Sequence, residues 1–254
     1  MDRTVKEVDN YEVVASFYDY LMRHVQYRRW YRFVVNVLKR HNLHEGKLLE
    51  MACGTGNMLM HFAKAGWQCV GVDKSQAMLN VAAAKLADNK NRVELICGDM
   101  RDQRIYGNFS AVICLYDSIN YCMGESALHD ALQNMINNLD SGGVFIFDIC
   151  TINNCRQNFH NYSEKEVFQN KEYTRKATFD PFTHQQINEF WINTIPAEHV
   201  VLHERHVQQI FRISQVDEIV KDIGSCEIAG IYENYTRRPG SEKSDRVHFI
   251  IIKS

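Results

Sequence analysis

Proline is scarce, with only three in 254 residues. Extended proline-rich linkers and stalks are therefore excluded. Aromatic residues reach 11%, too many for a disordered chain. No run of about 18 apolar residues is present, so a membrane-spanning helix is not expected. The opening stretch Met1 to Asn10 is mostly charged and polar and lacks the apolar centre of a signal peptide. Neither charge sign dominates. Lysine plus arginine total 29, aspartate plus glutamate 31, and the net charge is −2. A general nucleic-acid coat or a polybasic membrane binder would be far more basic. There are eight cysteines, but no two are spaced as CxxC, which leaves zinc ribbons and thioredoxin-like sites without support. The chain is also long enough to bury a core without disulfide staples. A reduced, cytoplasmic protein with buried thiols is expected.

The order of elements can be read from periodicity. Residues 11–42 carry apolar positions at helical spacing, including Val14, Tyr18, Leu21, Trp30, Phe33 and Val37. Beyond them, short apolar runs alternate with helical patterns. Strands are expected at Lys47–Met51, Gln68–Val72, Val93–Cys97, Ser110–Leu115 and Val144–Asp148, the last after a Ser141-Gly142-Gly143 turn. Helices are expected between them, one capped by Ser75. This alternation predicts an α/β fold with a parallel, doubly wound sheet. From about 163 to 213 the texture becomes polar, aromatic and roughly alternating, as in a small inserted antiparallel sheet. A helix at Gln215–Ile223 and a hairpin of Glu227–Tyr235 with Arg246–Ile252 follow. The expected division is a main domain of residues 1–150 and 214–254, with an antiparallel β cap at 151–213.

The most informative stretch is Glu50-Met51-Ala52-Cys53-Gly54-Thr55-Gly56, where a strand meets a helix through a glycine turn. Glycine permits a sharp bend and lets a ligand approach the backbone. The helix start offers free N–H groups. In an open parallel sheet, ligands bind at the carboxyl ends of the strands. A dinucleotide site would carry a third glycine three residues after Gly56, but Leu59 stands there. Glu50 would repel a pyrophosphate and attract a cationic amino acid. Asp73 ends the second strand, where a carboxylate can accept from two ribose hydroxyls. Asp99 ends the third, where it could accept from an adenine amino group. Three successive strand ends thus place an acid or glycine over one crevice.

These residues resemble the class I S-adenosylmethionine-dependent methyltransferases. The resemblance rests on Glu50-x-Ala52-Cys53-Gly54-Thr55-Gly56, Val72-Asp73-x-Ser75-x-x-Met78-Leu79, Gly98-Asp99-Met100-Arg101, Asp117-Ser118-Ile119-Asn120-Tyr121 and Leu139-x-Ser141-Gly142-Gly143-x-Phe145. Tyr11-x-x-x-Ala15-x-x-Tyr18-Asp19 and Tyr27-x-x-Trp30 are similar to a bacterial small-molecule subgroup that includes sugar-amine N-methyltransferases. The resemblance covers about residues 11–150. It implies a Rossmann-like, seven-stranded sheet with its last strand antiparallel. It also implies S-adenosyl-L-methionine as cofactor and S-adenosyl-L-homocysteine as product. Glu50 and the Ala52, Cys53, Gly54 and Gly56 backbone would hold the methionine part. Asp73 would bind ribose, and Met78 would pack on adenine beside Lys74. Asp99 and Met100 would read the adenine edge, Leu115 and Tyr116 would line the methyl end, and Tyr11 and Trp30 would close over the cofactor.

The expected reaction is methyl transfer to an N or O atom of a small molecule by in-line displacement, which needs alignment more than activation. Acceptor-side candidates are Tyr18, Asp117, Asn120, Tyr121, Arg205, His206, Tyr232 and Tyr235, with Tyr18, Asp117 and Tyr121 as the catalytic candidates. Each has a bland alternative: the tyrosines as half-buried packing residues, Arg205 and His206 as strand residues facing water. His199, His203 and His206 do not suggest a metal, because on a strand His206 points away from the other two. Methyltransferases of DNA amines and protein glutamine carry an Asn/Asp-Pro-Pro-Tyr turn where this chain has Leu115-Tyr116-Asp117-Ser118. No nucleic acid or membrane partner is expected, and the chain would be a monomer or homodimer. Two alternatives remain open: an NAD-dependent oxidoreductase, or a non-catalytic protein that binds S-adenosylmethionine.

Overall fold

The structure, a computed structural model, describes residues 4–102, 107–195 and 199–254. The chain opens with a short strand, β1 (Thr4–Glu7), which the sequence pattern did not reveal. A 3-10 turn (Val14–Phe17), α1 (Tyr18–Leu21) and α2 (Tyr27–Arg40) follow. The continuous helical pattern expected over 11–42 is therefore broken at 22–26. The reason is packing onto two surfaces. Val14, Phe17, Leu21 and Met22 join a cluster with Tyr173, Phe190 and Ile192. Trp30, Phe33, Val34 and Val37 join another with Leu48, Ile113 and Ile146. One straight helix could not serve both.

The main sheet comprises β2 (Lys47–Met51), β3 (Gln68–Asp73), β4 (Val93–Cys97), β5 (Phe109–Cys114), β6 (Leu139–Cys150) and, after the second sheet, β11 (Cys226–Glu233) and β12 (Arg246–Lys253). Its order is β11-β12-β6-β5-β2-β3-β4. All neighbours from β6 to β4 run parallel, and β12 lies antiparallel between β6 and β11. The fold is the expected Rossmann-like, doubly wound, seven-stranded sheet. Near-continuous apolar strands such as Leu48-Leu49 and Val144–Phe147 suit a sheet covered on both faces. On one face lie α2, α3 (Asn57–Lys64) and α4 (Gln76–Lys85). On the other lie α5 (Glu125–Asn137) and α7 (Ile213–Ile223). The glycines at 142 and 143 lie inside β6 rather than in a turn before it. A register shift between Phe109 and Ala111 accommodates them, and Gly142 takes a φ of 75°.

After α6 (Ile152–Asn158) come β7 (Tyr162–Phe168), β8 (Lys171–Asp180), β9 (Gln185–Thr194) and β10 (Val200–Gln209). They form an antiparallel sheet in the order β10-β9-β8-β7, and β1 adds to its β10 edge in parallel. The expectation of buried thiols needs a correction. Cys97 is exposed and Cys226 is half-buried, because they sit on β4 and β11, the two edge strands.

Candidate active site

The glycine turn lies at the carboxyl end of β2, between β3 and β5. Its backbone takes left-handed conformations at Ala52 (φ 54°), Gly54 (φ 54°) and Gly56 (φ 74°). A Cβ on Gly54 would meet nothing within 4 Å, so the main chain borders open space there. At Gly56 a Cβ would lie 2.9 Å from Leu86 Cδ1, so this glycine serves close helix packing instead. Glu50 is buried in the strand end, and its Oε2 has no hydrogen-bond partner. Burial pushes its carboxyl well above the ordinary carboxylate range. An unpartnered buried carboxylate is costly and calls for a cationic ligand. The crevice around it is lined by Tyr18, Tyr27, Trp30, Ala52–Thr55, Asn57, Met58, Leu115, Tyr116 and Ser118. These features fit the ammonium-bearing methionine part of S-adenosylmethionine.

Asp73 adjoins this crevice. Its Oδ2 accepts from Gly54 N at 2.8 Å and its Oδ1 from Ser75 N at 2.9 Å. Burial still raises its carboxyl above the ordinary value. Ser75 caps α4 by accepting from Met78 N, and the Met78 side chain is buried. Asp99 is held low by the Arg101 guanidinium at 2.8 Å, with Lys74 at 3.4 Å. Its carboxylate is thus already engaged. The Met100 carbonyl accepts from Asn134 Nδ2 at 2.9 Å. The Cys53 backbone lines the crevice, but its Sγ turns toward Gly71 on β3.

The N-terminal segment covers this ground. Asp19 accepts from Thr55 Oγ1 (2.7 Å), Asn57 Nδ2 (3.0 Å) and Lys85 Nζ (2.9 Å). At Tyr11 the φ is 63°, and Glu204 Oε2 accepts the Tyr11 N–H at 2.9 Å. Glu204 Oε1 also accepts from Val13 N (2.5 Å) and Val14 N (2.8 Å). The second sheet thereby holds the segment over the crevice.

Beyond Leu115 the chain makes an unusual turn. Tyr116 and Asp117 both have positive φ, 66° and 52°. Asp148 holds them there by accepting from Tyr116 N (2.6 Å) and Asp117 N (2.8 Å). Arg246 bridges Asp148 and Asp117, the latter at 2.6 Å, and lies over the Tyr116 ring at 4.9 Å. Backbone strain of this kind persists where surrounding contacts over-determine it. Strand β10 faces the turn. Gln208 Nε2 donates to Asp117 Oδ2 at 3.2 Å. A chain of polar groups runs alongside. Tyr11 and Tyr121 hydroxyls are 2.5 Å apart, Tyr121 Oη is 3.1 Å from His206 Nδ1, and His206 Nε2 is 3.3 Å from Glu204 Oε2.

Several expectations separate here. Tyr18, Asp117, Tyr121 and His206 come together with Tyr11 and Tyr116. Asn120 does not reach toward a ligand, because its side chain bonds the Gln209 carbonyl and the Cys150 N–H. Arg205 is exposed on the opposite face of β10. Tyr232 and Tyr235 line a separate groove beside α2. Sequence reading missed Arg246, Asp148, Glu204 and Gln208. A strand polar in both registers, as at 203–209, was the available signal that its inner face is polar too.

A methyltransferase domain family matches residues 48–143. A relative from Geobacillus sp. (strain WCH70), provisionally named a methyltransferase, is 26% identical over 96% of this chain and 99% of its own. The dTDP-3-amino-3,4,6-trideoxy-alpha-D-glucopyranose N,N-dimethyltransferase of Streptomyces venezuelae is 32% identical over 56% of this chain and 57% of its own. The crystal structure of a S-adenosylmethionine-dependent methyltransferase from Clostridium acetobutylicum superposes with a TM-score of 0.82. It is 24% identical and covers 96% of this chain and 99% of that one. Residues 48–143 thus carry a methyltransferase domain, and the whole chain has the fold of S-adenosylmethionine-dependent methyltransferases.

Proposed function

We propose that this enzyme methylates the amino nitrogen of a small polar molecule of the amino-sugar kind. The observation that supports the proposal is the Tyr11–Tyr121–His206–Glu204 chain, a hydrogen-bonded path suited to taking a proton from an amine. The name of the Streptomyces venezuelae relative supports the same acceptor class. When bound, S-adenosylmethionine supplies an electrophilic methyl on a sulfonium, which needs no metal or covalent nucleophile. In this reading Glu50 holds its ammonium, Asp73 its ribose, and Met78, Asp99 and Met100 its adenine. The Ala52–Gly56 backbone, Leu115, Tyr116, Trp30 and Tyr11 enclose it, and Lys74 stands at its exposed edge.

An amine is a nucleophile only when neutral. Tyr121 receives the ammonium proton and passes its own to His206, whose imidazolium Glu204 stabilises. Asp117 is bound to Arg246, so it orients the acceptor rather than acting as the base. Tyr18 lines the methyl end, and the β cap at 151–213 selects the acceptor. The test is turnover on a panel of amino sugars, simple amines, sugar hydroxyls and thiols. His206→Ala and Tyr121→Phe should each lower kcat about 100-fold with S-adenosylhomocysteine affinity unchanged. Turnover confined to hydroxyls or thiols would overturn the amine assignment.

A further inference from the structure

A second concavity lies away from the cofactor crevice. It is a groove of about 770 Å³ between α2 and the β11–β12 connection. Five arginines line it: Arg29, Arg32 and Arg40 from α2, and Arg237 and Arg238 from the connection. Arg29, Arg32, Asn36 and Arg40 share one helix face by their spacing. All five arginines are exposed, and no carboxylate lines the groove. Among the described residues none of the five is ion-paired to a carboxylate. A chain of net charge −2 thus gathers five uncompensated positive charges in one place.

The groove is also shaped in advance. Thr236 Oγ1 donates to the Glu233 carbonyl at 2.7 Å, and Arg238 N donates to Thr236 Oγ1 at 3.1 Å. Gly240 N donates to the Ile231 carbonyl at 2.9 Å. These bonds fix the turn that carries Arg237 and Arg238, so little ordering remains for a ligand to impose. Tyr235 forms part of the floor, with the Arg29 guanidinium 4.9 Å above its ring and Trp30 against it at 5.0 Å.

We propose that this groove is a second ligand site and that it binds a phosphoanhydride, a di- or triphosphate. Guanidinium groups pair with phosphate oxygens two at a time, and Arg is preferred wherever that planar pairing matters. A single carboxylate needs one such partner, whereas adjacent phosphates use several. A groove of this size holds a small molecule. A nucleic acid would need the positive charge to continue as a track, which a chain of this overall charge does not supply.

The test is calorimetry of inorganic pyrophosphate and of a nucleoside diphosphate at low ionic strength, on the wild type and on the double variant Arg32→Gln/Arg238→Gln. Both substitutions are on the surface, so folding is preserved. Pyrophosphate should bind saturably and weaken at least tenfold in the variant, while S-adenosylhomocysteine binds both proteins equally. Tighter binding of the nucleotide shows that the groove also takes the nucleoside, and equal binding marks a site for the phosphates alone. No saturable pyrophosphate binding overturns the proposal, as does binding that the variant leaves intact. Capture of single-stranded RNA without pyrophosphate binding overturns it as well. Loss of S-adenosylhomocysteine binding in the wild type would bear on the methyltransferase reading and not on this groove.

Discussion

Glu50 concentrates the tension between holding a ligand and holding a fold. Its Oε2 is buried without a partner, and its carboxyl is raised above an unfolded value of 4.5 by burial. The folded protein therefore keeps a proton that the unfolded chain has already lost. Stability from this group is full below the unfolded value and falls as pH rises above it. Glu50→Gln removes the charge and keeps the shape. The ligand-free variant should melt higher than the wild type at neutral pH, and it should bind S-adenosylhomocysteine about 10- to 100-fold more weakly, the range for a lost charged hydrogen bond. Scanning calorimetry and titration calorimetry check the two halves separately. A variant that melts lower would show that the carboxylate has a protein partner after all.

At the scale of elements, the N-terminal segment is held at both ends of its path. Glu204 receives three of its backbone N–H groups, and Asp19 ties it to the glycine turn through Thr55, Asn57 and Lys85. Burial alone would raise the Asp19 carboxyl, but hydrogen bonds from Lys85, Thr55 and Asn57 lower it overall. Asp19 is partly exposed, so global stability gains about 1 kcal/mol or less from it. Asp19→Asn should speed amide exchange across residues 11–25 with little change in the unfolding midpoint. Exchange unchanged in that segment would place the restraint on Glu204 alone. The crevice was legible in the sequence because a parallel sheet brings successive strand ends together, so the glycine turn, Glu50 and Asp73 could be read as neighbours from their spacing. The facing roof was not. Arg246 reads only as the first residue of a strand, and its meaning depends on Asp117 and Asp148 from two other segments. The face that β10 turns inward is likewise set by packing, so the polarity of 203–209 in both registers hints at a polar inner face without showing that Glu204 and Gln208 lie on it.

For the whole molecule, pH response combines opposing groups. His248 is fully buried against Trp30, Phe33 and Tyr235. Burial, with Arg246 nearby, pushes its imidazole down from 6.5 to about 3. Below 6.5 the unfolded chain takes up a proton that the folded protein refuses. Stability from this group is thus present above that value and is lost as pH falls toward 3, by up to about 1.4 kcal/mol per pH unit. Urea unfolding between about pH 4 and 7 should show a steeper loss in the wild type than in His248→Phe. Equal slopes would mean that the imidazole finds a way to charge inside the core. The raised Glu50 acts in the reverse sense, so the optimum should lie where the two losses balance.

The parallel pairing of β1 with β10 joins residues nearly two hundred positions apart, Thr4 with Val200 and Glu7 with His203. On the ribosome the first of these emerges long before the second exists. Strands β2 to β6 can assemble by the time Cys150 is made, whereas β1 and the Tyr11–Val14 backbone that Glu204 holds have no partner until β10 follows. The crevice is therefore built uncovered and closed late, which gives a nascent chain an interval in which cofactor can enter before its cover arrives.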